Sequence, residues 1–241
     1  MSILLYQLKN KKTPLVIDVV IPAFNEQNSI PLVLADLDRS LVRNVVVVNN
    51  NSTDGTVSGA LKGGAIVVDE PHQGYGAACF RGIEYVNESI LPADVIVFMD
   101  ADYSDYGDEL EQLIRPIVNG EVDFTIGSRA LGQREKGAMM PQQLFGNWLA
   151  TGLLKLFYGV RFSDLGPFRA IRLSTLNALK MKDKDFGWTV EMQIKIAKQK
   201  VPFIEFPARY RKRVGVSKIT GTLKGTILAG YKIIYTLIKY R

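Results

Sequence analysis

The chain has 241 residues, 47% of them apolar, and a formal net charge of +6. That length fits one α/β domain with at most a small appendage, and the composition excludes disordered and collagen-like chains. The single cysteine, Cys79, excludes an intramolecular disulfide and suits a reducing cytosol. The opening MSILLYQLKNKK does not read as a secretory signal, because its charges follow its short apolar run. Residues 201–241 hold nine Lys and Arg against one acid, a net of +8, which leaves −2 for the first 200. Such a tail is either an ordinary solvated face or a surface for phosphate-rich partners: lipid, a phosphorylated acceptor or nucleic acid.

In chain order, short β-branched runs at 16–21, 45–48, 65–68, 95–99 and 124–126 read as buried strands. Helical spacing appears between them. Ile30, Val33, Leu34 and Leu37 follow Ser29, a candidate N-cap, and Leu110, Leu113, Ile114 and Ile117 repeat the pattern. The alternation predicts an α/β fold with a mostly parallel sheet covered on both faces. Ligands in such sheets bind beyond the carboxyl ends of the strands. The polar clusters that follow the strands, 22–26, 49–54, 69–76 and 100–105, are therefore the ones to examine. After residue 130 the alternation fades. Residues 143–160 are apolar but include Asn147 and Lys155, and the stretch is short for a membrane span. Residues 220–241 place Leu223, Ile227, Ile234 and Ile238 near one face and Lys224, Lys232 and Lys239 near another. That predicts an amphipathic helix, not a spanning one.

The strand at 95–99 ends in Asp100-Ala-Asp102. Two carboxylates two residues apart at a strand's carboxyl end can hold a hard divalent cation against a diphosphate, neutralising charge as a leaving group departs. The plainer alternative is a helix cap plus a surface acid. Two further loops, Pro22 to Glu26 and Asn49 to Thr56, carry short amides and carboxylates. These suit either turns or hydrogen bonds to a base and ribose. His72-Gln-Gly74-Tyr-Gly76 follows another strand, and its glycines would let backbone approach a phosphate at a helix N-terminus. A dinucleotide-binding fingerprint fits poorly, since Cys79 takes the place of its last glycine, and no P-loop motif occurs.

The ordered set Ile21-Pro-Ala-Phe-Asn-Glu26, Asn49-Asn-Asn-Ser-Thr-Asp54-Gly, Gly74-x-Gly-x-Ala-x-x-Arg81-Gly82, Asp100-Ala-Asp102 and Gly127-Ser-Arg129 resembles the family 2 glycosyltransferases of the GT-A fold. It covers roughly residues 17–130. A nearer resemblance, to dolichyl- and polyprenyl-phosphate mannosyl- and glucosyltransferases, rests on Asp164-Leu-Gly-Pro-Phe-Arg169-Ala, Gly187-Trp-Thr-Val-Glu191 and Arg213-Val-Gly-Val-Ser-Lys218 together with Gly127-Ser-Arg129.

The resemblance implies a Rossmann-like GT-A sandwich over 1–215, with 216–241 as a basic amphipathic segment for a membrane surface or a partner. It implies Mg²⁺ or Mn²⁺ on Asp100 and Asp102. The third ligand stays open, because Ser104 and Asp105 stand where the family often has Gln. Donor contacts are implied for Pro22, Ala23, Asn25, Glu26, Asn49, Asn50, Asp54, Gly74, Arg81, Asp100 and Ala101, although Arg81 equally reads as a surface helix residue. Amides at Asn49 and Asn50 suit the uracil edge and point to a UDP-hexose over GDP-mannose. Arg129, Arg134, Arg213 and Lys218 fall where relatives hold the acceptor phosphate, and arginine suits phosphate through its bidentate fork. A phosphate acceptor needs no strong base. A hydroxyl acceptor would need one, and Glu191 is then the catalytic candidate beside Asp102. His72 reads as a donor-phosphate contact or a loop residue, and Trp148 and Trp188 as core or interface aromatics.

The expected activity is an inverting, metal-dependent hexosyl transfer to a polyprenyl phosphate, by a cytoplasmic protein peripheral to the membrane. A soluble transferase acting on a small hydroxyl or phosphorylated acceptor is the alternative. A non-catalytic nucleotide-sugar-binding protein is a third. Nucleic-acid binding lacks a recognisable motif.

Overall fold

The computed structural model describes residues 14–215 and 223–240. One sheet contains β1 (Ile17–Ala23), β2 (Asn44–Asn49), β3 (Ile66–Asp69), β4 (Val95–Phe98), β5 (Phe124–Ser128), β6 (Arg169–Arg172) and β7 (Phe203–Pro207). Their spatial order is β3-β2-β1-β4-β6-β5-β7. The helices are α1 (Ile30–Asp36), α2 (Thr56–Lys62), α3 (Tyr75–Glu88), α4 (Leu110–Asn119), α5 (Pro141–Tyr158), α6 (Leu173–Leu179), α7 (Trp188–Lys198) and α8 (Leu223–Lys239).

Strand residues alternate between two cores, as the two-residue side-chain period requires. Val20, Val46, Val48, Ile96 and Phe98 pack under α3, α6 and α7. Val19, Ile21, Val45, Val47 and Val97 pack on the opposite side under α1, α2 and α4. Both faces are therefore covered, which is why these strands read as continuous apolar runs.

The sheet is parallel except at β6, which pairs antiparallel with both β4 and β5. Register shows what this achieves. Val20 pairs with Phe98, so the loops after β1 and β4 leave the sheet side by side. Phe98 pairs with Arg169, so the chain entering β6 arrives at that same edge. Ser128 pairs with Pro207, which sends residues 129 and 208 out there as well.

The sequence reading located the first five strands and missed β6 and β7. Arg-Ala-Ile-Arg reads as polar, yet Arg169 is fully buried. Its guanidinium donates to the carbonyls of Leu165, Gly166 and Thr189, which satisfies a charge that sequence alone assigns to solvent. Burial pulls its pKa down to about 10. Ser29 does precede α1, but its hydroxyl donates to Glu26 instead of capping the helix.

At the C-terminus α8 is helical as expected and packs on α5 and α7. Thr236 and Leu237 are buried, while Ile234 and Ile238 face outward with Tyr231 and Tyr235. Lys218 lies outside the described residues. Among the described residues no helix is long and apolar enough to cross a membrane.

Candidate active site

The carboxyl edge of the sheet opens into a cleft of about 530 Å³. One wall carries Pro22, Ala23, Glu26, Asn50, Gly74 and Tyr75. The floor carries Asp100, Ala101 and Asp102. The opposite wall carries Arg129, Gln143, Leu165, Pro167, Asp185, Phe186, Tyr210 and Arg213.

The acid pair sits where β4 stops. Asp102 is buried; its Oδ1 accepts from the Ser104 backbone and hydroxyl at 2.9 and 2.5 Å, and its Oδ2 pairs with Arg213 at 2.9 Å. Residues far along the chain pin this loop. The Val214 amide donates to the Asp102 carbonyl and the Arg211 amide to the Ser104 carbonyl. The Arg211 side chain holds the Tyr103 carbonyl and Asp36. Tyr103 itself adopts φ +65°, a left-handed conformation that this packing stabilises.

Asp100 and Asp105 are less well satisfied. Asp100 Oδ1 and Asp105 Oδ2 are buried with no hydrogen-bond partner among the described residues. Burial, then repulsion from Asp102, pushes the Asp100 carboxyl up to about 7. Asp105 is pushed well above the carboxylate range, by burial first and then by Asp100 and Asp102. A surplus of buried acidic oxygens fits a hard divalent cation, which would relieve both the repulsion and the missing hydrogen bonds. Among the described residues no three His, Cys, Asp or Glu side chains converge on one point. The protein can therefore offer Asp100 and Asp102, with the rest of the shell coming from water or a diphosphate. Ser104, whose place left the third ligand open, donates to Asp102 instead.

Two of the predicted arginines meet the acids in the cleft. Asp164 holds Arg129 in a fork, Nε to Oδ2 and Nη2 to Oδ1, both at 2.7 Å, with the Arg129 backbone amide adding a third bond. The Arg129 guanidinium also lies over the Tyr210 ring, 5.2 Å from its centroid. Burial opposes its charge, but Asp164 more than offsets this and raises its pKa. Arg213 behaves alike: burial opposes it and Asp102 raises it. The Asp164-to-Arg169 motif is thus a brace. Asp164 fixes Arg129, Arg169 holds the Leu165 and Gly166 carbonyls, and Leu165 and Pro167 form the wall between. Arg134, by contrast, is exposed and lies outside the cleft, its Nη1 3.6 Å from Met139 Sδ.

Several expected donor contacts prove to be internal. The Asn50 amide donates to the carbonyls of Glu70 and His72 and accepts from Gly74, so its edge is already engaged. Asn49 bonds Asp69 and the Ser52 amide. Asn25 accepts from Thr53, and Asp54 accepts from Thr56 and Gln27. These bonds remove the ground for reading uracil from Asn49 and Asn50. Arg81 lies off the cleft and pairs with Glu84 at 3.6 Å on the surface of α3. Gly74 and Gly76 serve a protein contact. A Cβ on either would collide with backbone of residues 183–185, and the Ala77 amide donates to the Lys184 carbonyl there. His72 is exposed against Glu70, and Trp188 is core, packed edge-on against Phe80 and Phe98.

Glu191 does not sit where a general base would have to sit. It is buried away from the cleft, and its carboxylate accepts from the Lys182 and Asp183 amides, the Tyr240 hydroxyl and Lys195. Burial raises its pKa, but these donors, Lys195 first, bring it below the ordinary value.

Comparison with known proteins decides the family. The model of glycosyl transferase family 2 matches residues 18–180. The chain belongs to glycosyl transferase family 2. A glycosyltransferase of Mycobacterium tuberculosis is 31% identical over 215 residues, covering 88% of this chain and 94% of that one. An undecaprenyl-phosphate mannosyltransferase of Micrococcus luteus is 28% identical over 218 residues, covering 86% and 88%. Among solved structures, glucosyl-3-phosphoglycerate synthase of M. tuberculosis, in complex with Mn²⁺, UDP-glucose and phosphoglyceric acid, superposes with a TM-score of 0.77. It is 21% identical and covers 100% of this chain and 84% of that one.

The protein is thus a GT-A glycosyltransferase. Sequence reasoning missed Tyr75, Gln143, Asp185, Phe186 and Tyr210 on its cleft. Only Tyr75 carried a signal, since it lies between the two glycines that open α3.

Proposed function

We propose that this glycosyltransferase moves a hexose from a UDP-sugar to a polyprenyl phosphate, with inversion at the anomeric carbon. The observation that carries the reading is one cleft that brings the Asp100 and Asp102 carboxylates together with the Arg129 and Arg213 guanidiniums. Mg²⁺ or Mn²⁺ held by Asp100 and Asp102 would supply charge neutralisation for the departing nucleoside diphosphate. An acceptor phosphate oxygen attacks the anomeric carbon as its bond to the β-phosphate oxygen breaks, and UDP leaves. The nucleophile is already an anion, so alignment and charge stabilisation suffice and no general base is needed. Arg129 is pre-aimed by Asp164 through Nε and Nη2, which turns its remaining face to the cleft. Arg213 bridges the acids and the acceptor wall.

The donor rests on the UDP-glucose named for the solved neighbour, and the acceptor on the undecaprenyl phosphate named for the M. luteus relative. A surface feature supports a lipid acceptor. Gln143 lines the cleft, while its neighbours on α5, Leu144, Phe145 and Trp148, are exposed, the last two by 60% and 68%. Leu131 and Met140 extend this apolar rim, and Arg134 and Lys136 lie on the loop between them. Aromatic side chains beside basic ones suit the headgroup level of an anionic bilayer, which supports a peripheral position on the membrane's cytoplasmic face. The alternative acceptor is a soluble phosphorylated molecule, as the phosphoglyceric acid of the solved neighbour suggests.

The test is nucleoside diphosphate release from a panel of UDP- and GDP-hexoses with Mn²⁺ or Mg²⁺, with undecaprenyl phosphate or 3-phosphoglycerate, alongside Asp102→Ala. Release that requires the lipid and vanishes in the variant supports the reading. Release driven by phosphoglycerate alone replaces the acceptor, and release from GDP-sugars alone replaces the donor.

A further inference from the structure

The group that disqualifies Glu191 as a base has another consequence. Residues 182–187 join α6 to α7, and their Asp185 and Phe186 form part of the cleft wall. Glu191 holds the start of this segment through the Lys182 and Asp183 amides, at 3.0 and 2.6 Å. Asp183 continues the order inward, accepting from the Asp185 and Gly187 amides at 2.9 and 3.2 Å. The segment then reaches across to the N-terminus of α3 through the Lys184 carbonyl and the Ala77 amide.

The C-terminal helix grips this segment at both acids. The Tyr240 hydroxyl donates to Glu191 Oε1 at 2.6 Å, and Lys232 pairs with Asp183 Oδ2 at 3.0 Å. Packing is close enough that a Cβ on Gly187 would lie 2.8 Å from Thr236 Oγ1. Tyr158 and Lys198 fasten the end of the helix from α5 and α7, through the carbonyls of Leu237 and Tyr240.

We infer that Tyr240 and Lys232 are positioning residues for the cleft: through Glu191 and Asp183 they hold Asp185 and Phe186 in the wall, so substrate binding depends on the seating of the C-terminal helix. The helix presents two faces to this end. Its inner face carries the clamp, and its outer face exposes Tyr231, Ile234, Tyr235 and Ile238. Whatever displaces the helix therefore loosens the wall. The inference rests on the cleft being the substrate site, and not on which acceptor enters it.

Hydrogen–deuterium exchange of the full chain without substrate tests the clamp independently of any transferase assay. Tyr240→Phe removes one hydroxyl, and Lys232→Met removes one half-exposed charge. In each variant, exchange at residues 182–187 and at the Ala77 amide should rise about tenfold, the factor expected for one hydrogen bond to a charged group. The amides of β1 and β4 should keep their wild-type protection. In the transferase assay, KM for the acceptor should rise by up to about tenfold with kcat retained. Wild-type exchange at 182–187 in both variants would overturn the inference. So would exchange that rises equally in β1 and β4, which would mark a general loss of stability. An inactive wild-type protein with the expected exchange pattern would count against the proposed reaction and leave the clamp standing.

Discussion

Asp164→Asn isolates the brace behind Arg129. Asp164 is fully buried and the Arg129 side chain is 13% exposed, so neither charge has much access to water. Removing one partner of such a buried pair costs about 3–5 kcal/mol, because the other charge is left uncompensated. Arg129 borders the cleft, and water on that side sets the expected loss at about 3 kcal/mol. For a chain of this size, with a urea m-value of about 3 kcal/mol/M, the unfolding midpoint should fall by about 1 M. Circular dichroism in urea measures it. The double variant Arg129→Met/Asp164→Leu should recover only part of the loss, since an apolar pair can replace a buried ion pair at little net cost but the Arg129 backbone amide still lacks its acceptor. A single-variant loss below about 1 kcal/mol would refute the reasoning, because it is what a solvated surface pair gives.

Four further outcomes concern the acids, Glu191 and the exposed face of α5. Asp100→Asn should lower kcat by at least about 10²-fold while the fold persists, measured by nucleoside diphosphate release. The raised Asp100 and Asp105 carboxyls set a pH dependence. Between about pH 4 and 7 the folded state binds protons that the unfolded chain has already lost, so metal-free stability falls as pH rises through that window. Mn²⁺ should accordingly raise Tm more at pH 8 than at pH 6, and a flat metal-free Tm across the window would contradict the assignment. Glu191→Gln should cost about 2 kcal/mol of stability and leave the shape of the kcat–pH profile intact, whereas a base would lose its limb. Trp148→Ala should weaken binding to anionic vesicles about tenfold, read by sedimentation, without lowering kcat on a water-soluble short-chain acceptor.

The legible parts of this protein are those decided by local physics. β1, β2 and β4 are dense in Val and Ile because both faces are covered, and Asp100 and Asp102 stand where an apolar run stops. Glu191 shows the limit from the other side. Its partner Lys195 lies one helical turn away and was visible, but the Tyr240 hydroxyl that completes its shell is 49 residues distant. Asn50 was ambiguous for the same reason. A loop amide can read a base or tie its own loop, and only the return of the Glu70 and His72 carbonyls beneath it selects the second. β6 was hidden because the buried Arg169 guanidinium is satisfied by carbonyls that no periodicity announces.

The distribution of these long-range ties bears on how such enzymes diverge. The family match ends at residue 180, and beyond it Asp185, Phe186, Tyr210 and Arg213 complete the far wall of the cleft that Arg129, Gln143, Leu165 and Pro167 begin. β6 runs antiparallel and returns Asp164 and Pro167 to the same edge as Asp100, so the chain beyond it can build a second wall without disturbing the acids. Under the proposed reaction the first wall and the floor take the nucleotide sugar, and the second takes the acceptor. Changes between 181 and 214 can then alter the acceptor while the acid pair stays in place. They are not free of the acids, however. Arg213 pairs with Asp102, and the Val214 amide holds the Asp102 carbonyl. A substitution in this wall that changes acceptor choice should therefore also shift metal affinity, because both depend on the same loop.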